Sequence, residues 1–391
     1  MTDNEKIFDS LNRLRSYIES EGFMGYDPYD ALNSTLPLNA LGRTATAIAV
    51  QIQKRNPINL RPMLGIKKGY NPKAMGILLK AYCILYGMKP DDKTKKTIEF
   101  LYNWLMDNFT RGYSGMCWGY NFDWSSPKHY LKAYTPTIVA TSFIAKGLFE
   151  YYNLFKKEEV IETLKGICRF ILNDLKITKT DDGICLSYTP FEPDCCYNAS
   201  MLGAEVLAGV YKITKGKRLL EYSKEAVDFV VKRQRPDGRW NYSLDIKRGT
   251  EREQIDFHQG YVIESMDSFI KYTDIKDNIY MDSIKKGLVF YKKMQFFQNG
   301  RSLWRLPKRW PVDIHNQSQG IITFSRVSGH GPDYTDFAKT IALWTIENMQ
   351  DKKGFFYYRK GRFFDNKTAY MRWAEAWMFL ALAELVKMIG K

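Results

Sequence analysis

Two short segments of the chain place the same types of titratable side chain in the same order. One reads Asp256-Phe-His258-Gln259, and the other reads Asp313-Ile-His315-Asn316-Gln317. The whole chain contains four histidines, and two of them occupy these matching segments. Imidazole changes charge near neutral pH, which suits a general acid or a general base. The pattern therefore predicts a catalytic set made of Asp256, His258, Asp313 and His315.

Two other roles fit the same segments. A carboxylate just before an apolar helical stretch is also typical of a helix N-cap, and Pro311 upstream of the second segment favours a helix start. Two aspartates and two histidines brought together would also suit a metal ion. We expect proton transfer rather than metal binding, and we predict no cofactor.

A wider set of polar and aromatic residues lies in the loops or at the starts of the helices that follow them. Sugar rings stack on aromatic planes, and their polar groups bind charged and polar side chains. The residues predicted to bind substrate are Tyr26, Asp27, Trp124, Asp194, Asn198, Gln259, Arg305, Trp310, Asn316, Gln317, Tyr370 and Arg372. Trp118, Trp240 and Trp304 are instead expected to fill corners between helices.

Two kinds of helix are predicted to position these residues. In the first kind, apolar residues recur at three- and four-residue spacing beside a charged face, which predicts outer helices. These cover residues 7–18, 98–106, 160–175, 219–231, 284–296 and 337–349. The second kind is apolar nearly all round and predicts buried inner helices, over residues 74–85, 138–151, 199–210, 260–270, 317–324 and 371–385. An additional helix is predicted over residues 38–53.

The loops between these helices repeat as well. A glycine turn precedes a short aromatic segment at Gly115, Gly183, Gly238, Gly300 and Gly354, and glycine can supply the positive φ of such a turn. The unit of outer helix, loop and inner helix recurs about every 60 residues, longer than the hairpins of most linear solenoids. Six hairpins bury their inner helices by closing on each other. We therefore predict an all-α fold, a single (α/α)6 toroid over residues 1–391.

Two resemblances follow from these repeats. The segment Gln234-Arg-Pro-Asp237-Gly238-Arg-Trp240 resembles the repeat of terpenoid cyclases and prenyltransferase β-subunits, which are also α/α toroids. The chain has no Asp-x-Asp-Asp motif, which disfavours terpenoid chemistry. The whole pattern of hairpins and loops is more similar to the six-hairpin glycosidase-like superfamily. That resemblance implies a sugar-acting enzyme linked to surface-polysaccharide metabolism, and it transfers no catalytic residue.

The number of loop aspartates favours one sugar chemistry over another. Hydrolysis of a glycosidic bond needs two carboxyl groups about 5–9.5 Å apart. Asp27, Asp194, Asp256 and Asp313 are the candidates, and they give hydrolysis a slight advantage. Elimination or epimerisation of a uronate is the alternative, with Tyr and His as base and acid. A non-catalytic toroid that binds a glycan or a protein is a third alternative.

The amino-acid composition limits the classes of molecule that the protein is expected to bind. The 391 residues carry 58 Lys and Arg against 43 Asp and Glu, a net charge of +15, which favours an acidic carbohydrate. The sequence has no nucleic-acid-binding motif and no apolar run of about 18 residues that would span a membrane. The N-terminus is unlike a signal peptide, and the six cysteines form no CxxC pair. These features predict a cytoplasmic protein.

Overall fold

The helices of this protein alternate along the chain between an outer and an inner layer. The computed structural model describes residues 1–38, 42–125 and 130–390. In those ranges the α-helices are α1 (Asp3–Ser20), α2 (Gly42–Arg55), α3 (Pro72–Met88), α4 (Asp92–Asp107), α5 (Ile138–Phe155), α6 (Glu158–Arg169), α7 (Tyr197–Thr214), α8 (Lys217–Val231), α9 (His258–Thr273), α10 (Asn278–Gln295), α11 (Ile314–Arg326), α12 (Tyr334–Met349) and α13 (Ala376–Ile389).

In the described ranges, short strands occur only in the loops. They are β1 (Trp124–Ser125), β2 (Tyr130–Leu131), β3 (Ile177–Thr180), β4 (Gly183–Leu186), β5 (Cys195–Cys196), β6 (Ser243–Asp245), β7 (Thr250–Arg252), β8 (Val312–Asp313) and β9 (Arg359–Lys360). All neighbouring strands pair antiparallel, in the orders β1-β2, β3-β4, β5-β6-β7 and β8-β9. In the last pair, Asp313 lies opposite Arg359.

The inner helices form a closed ring. Helices α3, α5, α7, α9, α11 and α13 each pack against the next, and α13 packs against α3. Their side chains are buried on every face, as in α7, where each residue from Tyr197 to Val210 is buried. Such helices are stable only when surrounded by other helices. The predicted (α/α)6 toroid is confirmed.

The outer helices α1, α4, α6, α8, α10 and α12 bury one face each. In α6 the buried residues include Val160, Leu164 and Ile167, at the spacing of a single helical face. Helix α1 packs against α12 and α13, so the start of the chain covers its last hairpin. The additional helix, predicted over residues 38–53, is observed as α2; residues 39–41 lie outside the described ranges.

The loop glycines mostly behave as predicted. Positive φ values of 86° to 129° occur at Gly183, Gly238, Gly300 and Gly354. Gly115 is the exception, because it does not adopt a positive φ. A β-carbon there would lie 1.8 Å from the carbonyl oxygen of Gly166, so close backbone packing is what requires this glycine.

Two of the three predicted corner tryptophans fill the corners. Trp118 and Trp240 are fully buried, and each indole Nε1 donates a hydrogen bond at 3.0 Å to a carbonyl of the preceding outer helix, at Leu105 and Val230 respectively. The prediction is wrong for Trp304, which stays partly exposed. In its hairpin, the buried Ser302 takes the equivalent loop position.

One repeated hydrogen bond fastens these loops to the inner helices. At each corner, the backbone N–H of the loop residue donates to a side chain of the next inner helix or helical turn. The pairs are Trp118 with Thr141 (3.1 Å), Leu186 with Ser200 (3.1 Å), Trp240 with Gln259 (2.9 Å), Ser302 with Gln317 (2.7 Å) and Phe356 with Glu375 (2.9 Å). This anchoring fixes where each loop delivers its side chains. Among the helices in the described ranges, none has the length and apolar character needed to cross a membrane.

Candidate functional site

The two Asp-x-His segments meet at one end of the ring. The ring of Phe257 lies between the two histidines, with its centroid 4.1 Å from that of His258 and 4.2 Å from that of His315. Both segments stand where a loop enters an inner helix, α9 in one case and α11 in the other. Because α9 and α11 pack side by side, their N-terminal ends lie together, as predicted, and we call this end of the ring the cleft.

Asp256 and His258 form a hydrogen-bonded pair. The Nδ1 atom of His258 lies 2.5 Å from Oδ1 of Asp256, and Gln254 Nε2 donates to the other carboxylate oxygen at 2.9 Å. Arg305 Nε stands 3.4 Å from that same oxygen. Burial alone would raise the pKa of Asp256, but the nearby His258 and Arg305 lower it below its ordinary value. The carboxylate therefore stays charged and orients the imidazole.

The other imidazole nitrogen of His258 is available to a ligand. The side chain is 16% exposed, and its Nε2 has no hydrogen-bond partner among the residues that the structure describes. The N-cap of α9 is Phe257, whose φ of −52° and ψ of −17° are helical. Asp256 thus precedes the cap, but its Oδ1 also accepts from the backbone N–H of His258 at 3.3 Å, so this carboxylate supports the helix start as well as the imidazole.

Asp313 differs from Asp256 despite the similar sequence. It is the N-cap of α11, and its Oδ1 accepts from the backbone N–H of His315 at 3.1 Å. The same oxygen accepts from Trp373 Nε1 at 2.8 Å, and Oδ2 accepts from Arg359 Nε at 2.8 Å. These three contacts use the buried carboxylate for structure. We therefore correct the catalytic assignment of Asp313: it caps helix α11 and binds Trp373 and Arg359.

His315 lies beneath His258, at the bottom of the cleft. It is 1% exposed, and its Nε2 lies 2.6 Å from the hydroxyl oxygen of Tyr261. Burial lowers the pKa of His315 well below its ordinary value, and the positive charges of Lys73 and Arg372 lower it further. The imidazole is therefore neutral at physiological pH, in contact with a phenol.

Asp27 and Arg372 form the third charged group of the cleft. Arg372 donates from Nε at 2.6 Å and from its terminal nitrogen at 2.8 Å to the two oxygens of Asp27, and both residues are buried. Arg61 supports this pair by donating to the Asp27 carbonyl at 2.7 Å and to the Tyr370 hydroxyl at 2.8 Å. Tyr26 bridges to Tyr370 through its backbone. Tyr370 thus holds the loop that contains Asp27, and we correct its predicted role in substrate binding.

Three predicted amides serve the loops. Gln259 uses its oxygen for the Trp240 N–H and donates from Nε2 to the Trp240 carbonyl at 2.7 Å. Gln317 accepts from the Ser302 N–H at 2.7 Å and donates from Nε2 to the Thr345 hydroxyl at 2.7 Å and the Gly300 carbonyl at 3.2 Å. Asn316 Nδ2 donates to the carbonyls of Leu303 and Trp304 at 2.7 and 2.8 Å. We therefore correct the substrate-binding assignment of Gln259 and Gln317, because both ends of each amide are already engaged.

The remaining predicted residues lie at the edges of this cluster. Asp194 accepts from the backbone N–H of Tyr188 at 3.0 Å, and Asn198 accepts from the Cys196 thiol at 3.1 Å. Trp124 belongs to the β1-β2 hairpin. Trp310 packs against the guanidinium of Arg301, 4.3 Å from its ring centroid. No hydrogen bond or ring contact within the described ranges joins either tryptophan to the histidines.

Sequence reasoning missed three residues of the cleft. Tyr261 lies three residues after His258 on the same helix, so helical spacing was sufficient to find it. Lys73 follows Asn71 and Pro72, a helix-start signal at the first inner helix that matches the other junctions. Trp373, which binds Asp313, directly follows the predicted Arg372.

An aromatic floor closes the cleft. It consists of Phe143, Tyr261 and Trp377, whose ring centroids lie 4.8 to 5.7 Å apart. Below it, buried ion pairs fill the axis of the ring: Lys80 with Glu384 (2.6 Å), Lys146 with Glu205 (2.6 Å) and Arg326 with Glu264 (3.2 Å). These side chains close the centre of the helical ring, so no open channel runs along its axis. In the described part of the chain, no three His, Cys, Asp or Glu side chains are grouped as metal ligands would be.

Comparisons with solved structures agree with this architecture. A sugar epimerase from a ruminal bacterium superimposes with a TM-score of 0.66 at 14% identity, over 84% of this chain and 90% of that one. Cellobiose 2-epimerase from Bacillus thermoamylovorans gives 0.62 at 14% identity, over 81% and 88%. An unsaturated glucuronyl hydrolase specific for heparin gives 0.64 at 11% identity, over 100% and 98%.

Sequence comparison alone finds none of these proteins. No protein-family model matches the chain, and no curated protein matches it. The similarity therefore lies in the path of the backbone, with most side chains replaced. This protein shares the (α/α)6 toroid fold of the six-hairpin sugar enzymes.

Proposed function

We propose that this protein is a carbohydrate-active enzyme that transfers a proton at a carbon next to a carbonyl or carboxyl group, as an epimerase or isomerase does. The observation that carries the proposal is the Asp256–His258 pair. With Nδ1–H donated to Asp256, the lone pair of Nε2 is left unused, and the His258 side chain is 16% exposed. An imidazole held in this tautomer is suited to act as a general base.

The state of the cleft carboxylates favours proton transfer over hydrolysis. Hydrolysis needs one protonated carboxyl group as an acid and a second carboxylate as a base or nucleophile. Asp27 is paired with Arg372, Asp256 with His258, and Asp313 with Arg359. Each of these carboxylates is thus already held by a nitrogen-bearing side chain, and none is free to contact a glycosidic oxygen. The preference for hydrolysis that the loop aspartates suggested is therefore reversed.

Tyr261 and His315 supply the second half of the reaction. In the tautomer with hydrogen on Nε2, neutral His315 donates to the Tyr261 oxygen and leaves the phenol O–H free. That O–H can donate to the oxyanion that develops when His258 removes a proton from carbon. The Tyr261 ring packs edge-on against the His258 ring, with centroids 5.7 Å apart, so the two proposed groups are adjacent.

The backbone fold and the net charge both support a carbohydrate substrate. Three similar toroids carry the names of sugar enzymes, two of them epimerases and one a glucuronyl hydrolase. The net charge of +15 favours an acidic oligosaccharide or polysaccharide, including one from a surface-polysaccharide pathway.

Solvent deuterium exchange tests the proposal. The protein is incubated in D₂O with cellobiose, mannose, glucose and glucuronate, and the sugars are analysed by NMR and mass spectrometry. Incorporation of one deuterium next to the carbonyl or carboxyl carbon, lost in His258→Asn, is the expected result. His330→Gln is the matched control, since His330 binds Asp267 at 3.0 Å away from the cleft.

Other outcomes would reject the proposal in favour of named alternatives. Cleavage of an oligosaccharide with the gain of one water identifies a hydrolase, and cleavage without a mass gain identifies a lyase. Binding of a glycan with neither exchange nor cleavage identifies a non-catalytic toroid.

A further inference from the structure

Lys73 is a buried lysine without a carboxylate partner. It is the second residue of α3, follows the N-cap Asn71, and is 4% exposed. The other two buried lysines in the described ranges, Lys80 and Lys146, each contact a glutamate at 2.6 Å. For Lys73, no ion pair or hydrogen bond of the ammonium group is found with any described residue.

The amine of Lys73 lies on the aromatic floor of the cleft. Its Nζ is 4.3 Å from the centroid of Phe143 and 5.3 Å from that of Trp377. The indole Nε1 of Trp377 is itself a buried donor that lacks a partner in the described part of the chain. The His315 ring lies 4.6 Å from the same tryptophan. Two unused donors thus stand beside the proposed proton-transfer groups.

No described carboxylate near Lys73 is free to pair with its ammonium group. Arg372 faces it from the turn before α13 and Lys146 from α5, but Asp27 and Glu205 already pair with these two cations. Burial lowers the pKa of Lys73 well below its ordinary value, and the two cations add to this effect against the attraction of Asp27. An anionic group of a ligand would be the missing counter-charge.

We propose that Lys73 and the indole N–H of Trp377 bind the carboxylate of a uronic acid unit, placing that unit over the His258–Tyr261 pair. The inference rests on the proposed function, because it names the substrate that this cleft selects. A carboxylate offers acceptors to both donors, and its charge stabilises the ammonium form of Lys73.

Titration calorimetry with glucuronate and glucose tests this site. We expect the wild-type protein to bind glucuronate more tightly than glucose, and Lys73→Met to weaken glucuronate binding about tenfold to a hundredfold, the usual effect of losing a charged hydrogen bond. Lys292→Met is the matched control, because Lys292 also lies over aromatic rings, those of Tyr334 and Phe337, but on the outer helix α10.

A thermal melt separates a binding role from a structural one. A buried, unpaired lysine costs stability, so Lys73→Met should melt at the same temperature as the wild type or higher. Unchanged glucuronate affinity in that variant would overturn the proposal. Tighter binding of glucose 6-phosphate than of glucuronate, through the same lysine, would overturn the choice of a carboxylate.

The two proposals fail in different ways. Deuterium exchange with neutral sugars, combined with no preference for glucuronate, would refute this inference and leave the proposed function standing. Lysine-dependent glucuronate binding without exchange in any sugar would refute proton transfer and leave the carboxylate site standing.

Discussion

Nδ1 of His258 lies 2.5 Å from Oδ1 of Asp256, and this contact sets which imidazole nitrogen can reach a substrate. The pair stands at the start of α9, with Phe257 between His258 and the second histidine of the cleft. Asp256 Oδ1 also accepts from the backbone N–H of His258 at 3.3 Å, as Asp313 accepts from that of His315, but Asp256 reaches the imidazole of its own segment as well.

Replacing Asp256 with asparagine should remove most of the activity without unfolding the protein. The amide no longer favours hydrogen on Nδ1, so His258 loses its orientation and the charge that stabilises its protonated form. We expect the exchange rate to fall about 10²- to 10⁴-fold, the usual contribution of an acid–base group. Asp267→Asn, at the other Asp–His pair, is the control. A rate for Asp256→Asn within twofold of wild type would exclude this role.

Removing the hydroxyl of Tyr261 should affect both catalysis and stability. Tyr261→Phe leaves Nε2 of His315 buried without its 2.6 Å partner, which costs about 1–3 kcal/mol. The exchange rate should fall as well, because the oxyanion loses its donor. Tyr291→Phe is the matched control, since that buried hydroxyl has no partner among described residues. Urea denaturation and deuterium exchange measure the two effects, and equal stability losses in both variants would contradict the prediction.

His315 should make the protein less stable in acid. The pKa of the folded imidazole lies below its ordinary value, so between the two values the unfolded state binds more protons. The free energy of unfolding should therefore fall as pH drops below about 6.5, by up to about 1.4 kcal/mol per pH unit. His315→Gln should show a shallower loss between pH 7 and pH 5 in urea titrations. Parallel curves for the two proteins would show that this histidine does not titrate on unfolding.

Glu375 should lower stability at neutral pH. It occupies the loop-anchoring position that Gln259 and Gln317 fill in other hairpins, and burial raises its pKa well above the ordinary value. The folded state therefore holds a proton that the unfolded state releases, and stability declines as pH rises above about 4.5.

Glu375→Gln should recover that lost stability, because the amide keeps an acceptor for the Phe356 N–H. At pH 7.5 we expect a gain of about 0.5–2 kcal/mol, and less at pH 4.5. Gln317→Glu is the reverse control and should destabilise the protein at pH 7.5. A loss of stability in Glu375→Gln at both pH values would contradict this account.

Much of the fold followed from local patterns. Outer helices such as α6 show one apolar face, and inner helices such as α7 are apolar all round, so their layers were predictable from side-chain type alone. The repeat of about 60 residues then implied closure into a ring. Trp304 shows the limit of such reasoning, because a tryptophan near the repeat position looked like a corner residue while Ser302 occupies that corner.

The sequence by itself determined the helical hairpins, their closure and the meeting of two Asp-x-His segments, because periodic burial and repeat length are local properties. Only the tertiary structure decided that Asp256 binds the imidazole of its own segment while Asp313 binds Arg359 and Trp373, which lie 46 and 60 residues from it. It also decided that Lys73 lacks a counter-charge. Which charges face each other across a cleft depends on how six separate helix ends come together, and no local pattern records that.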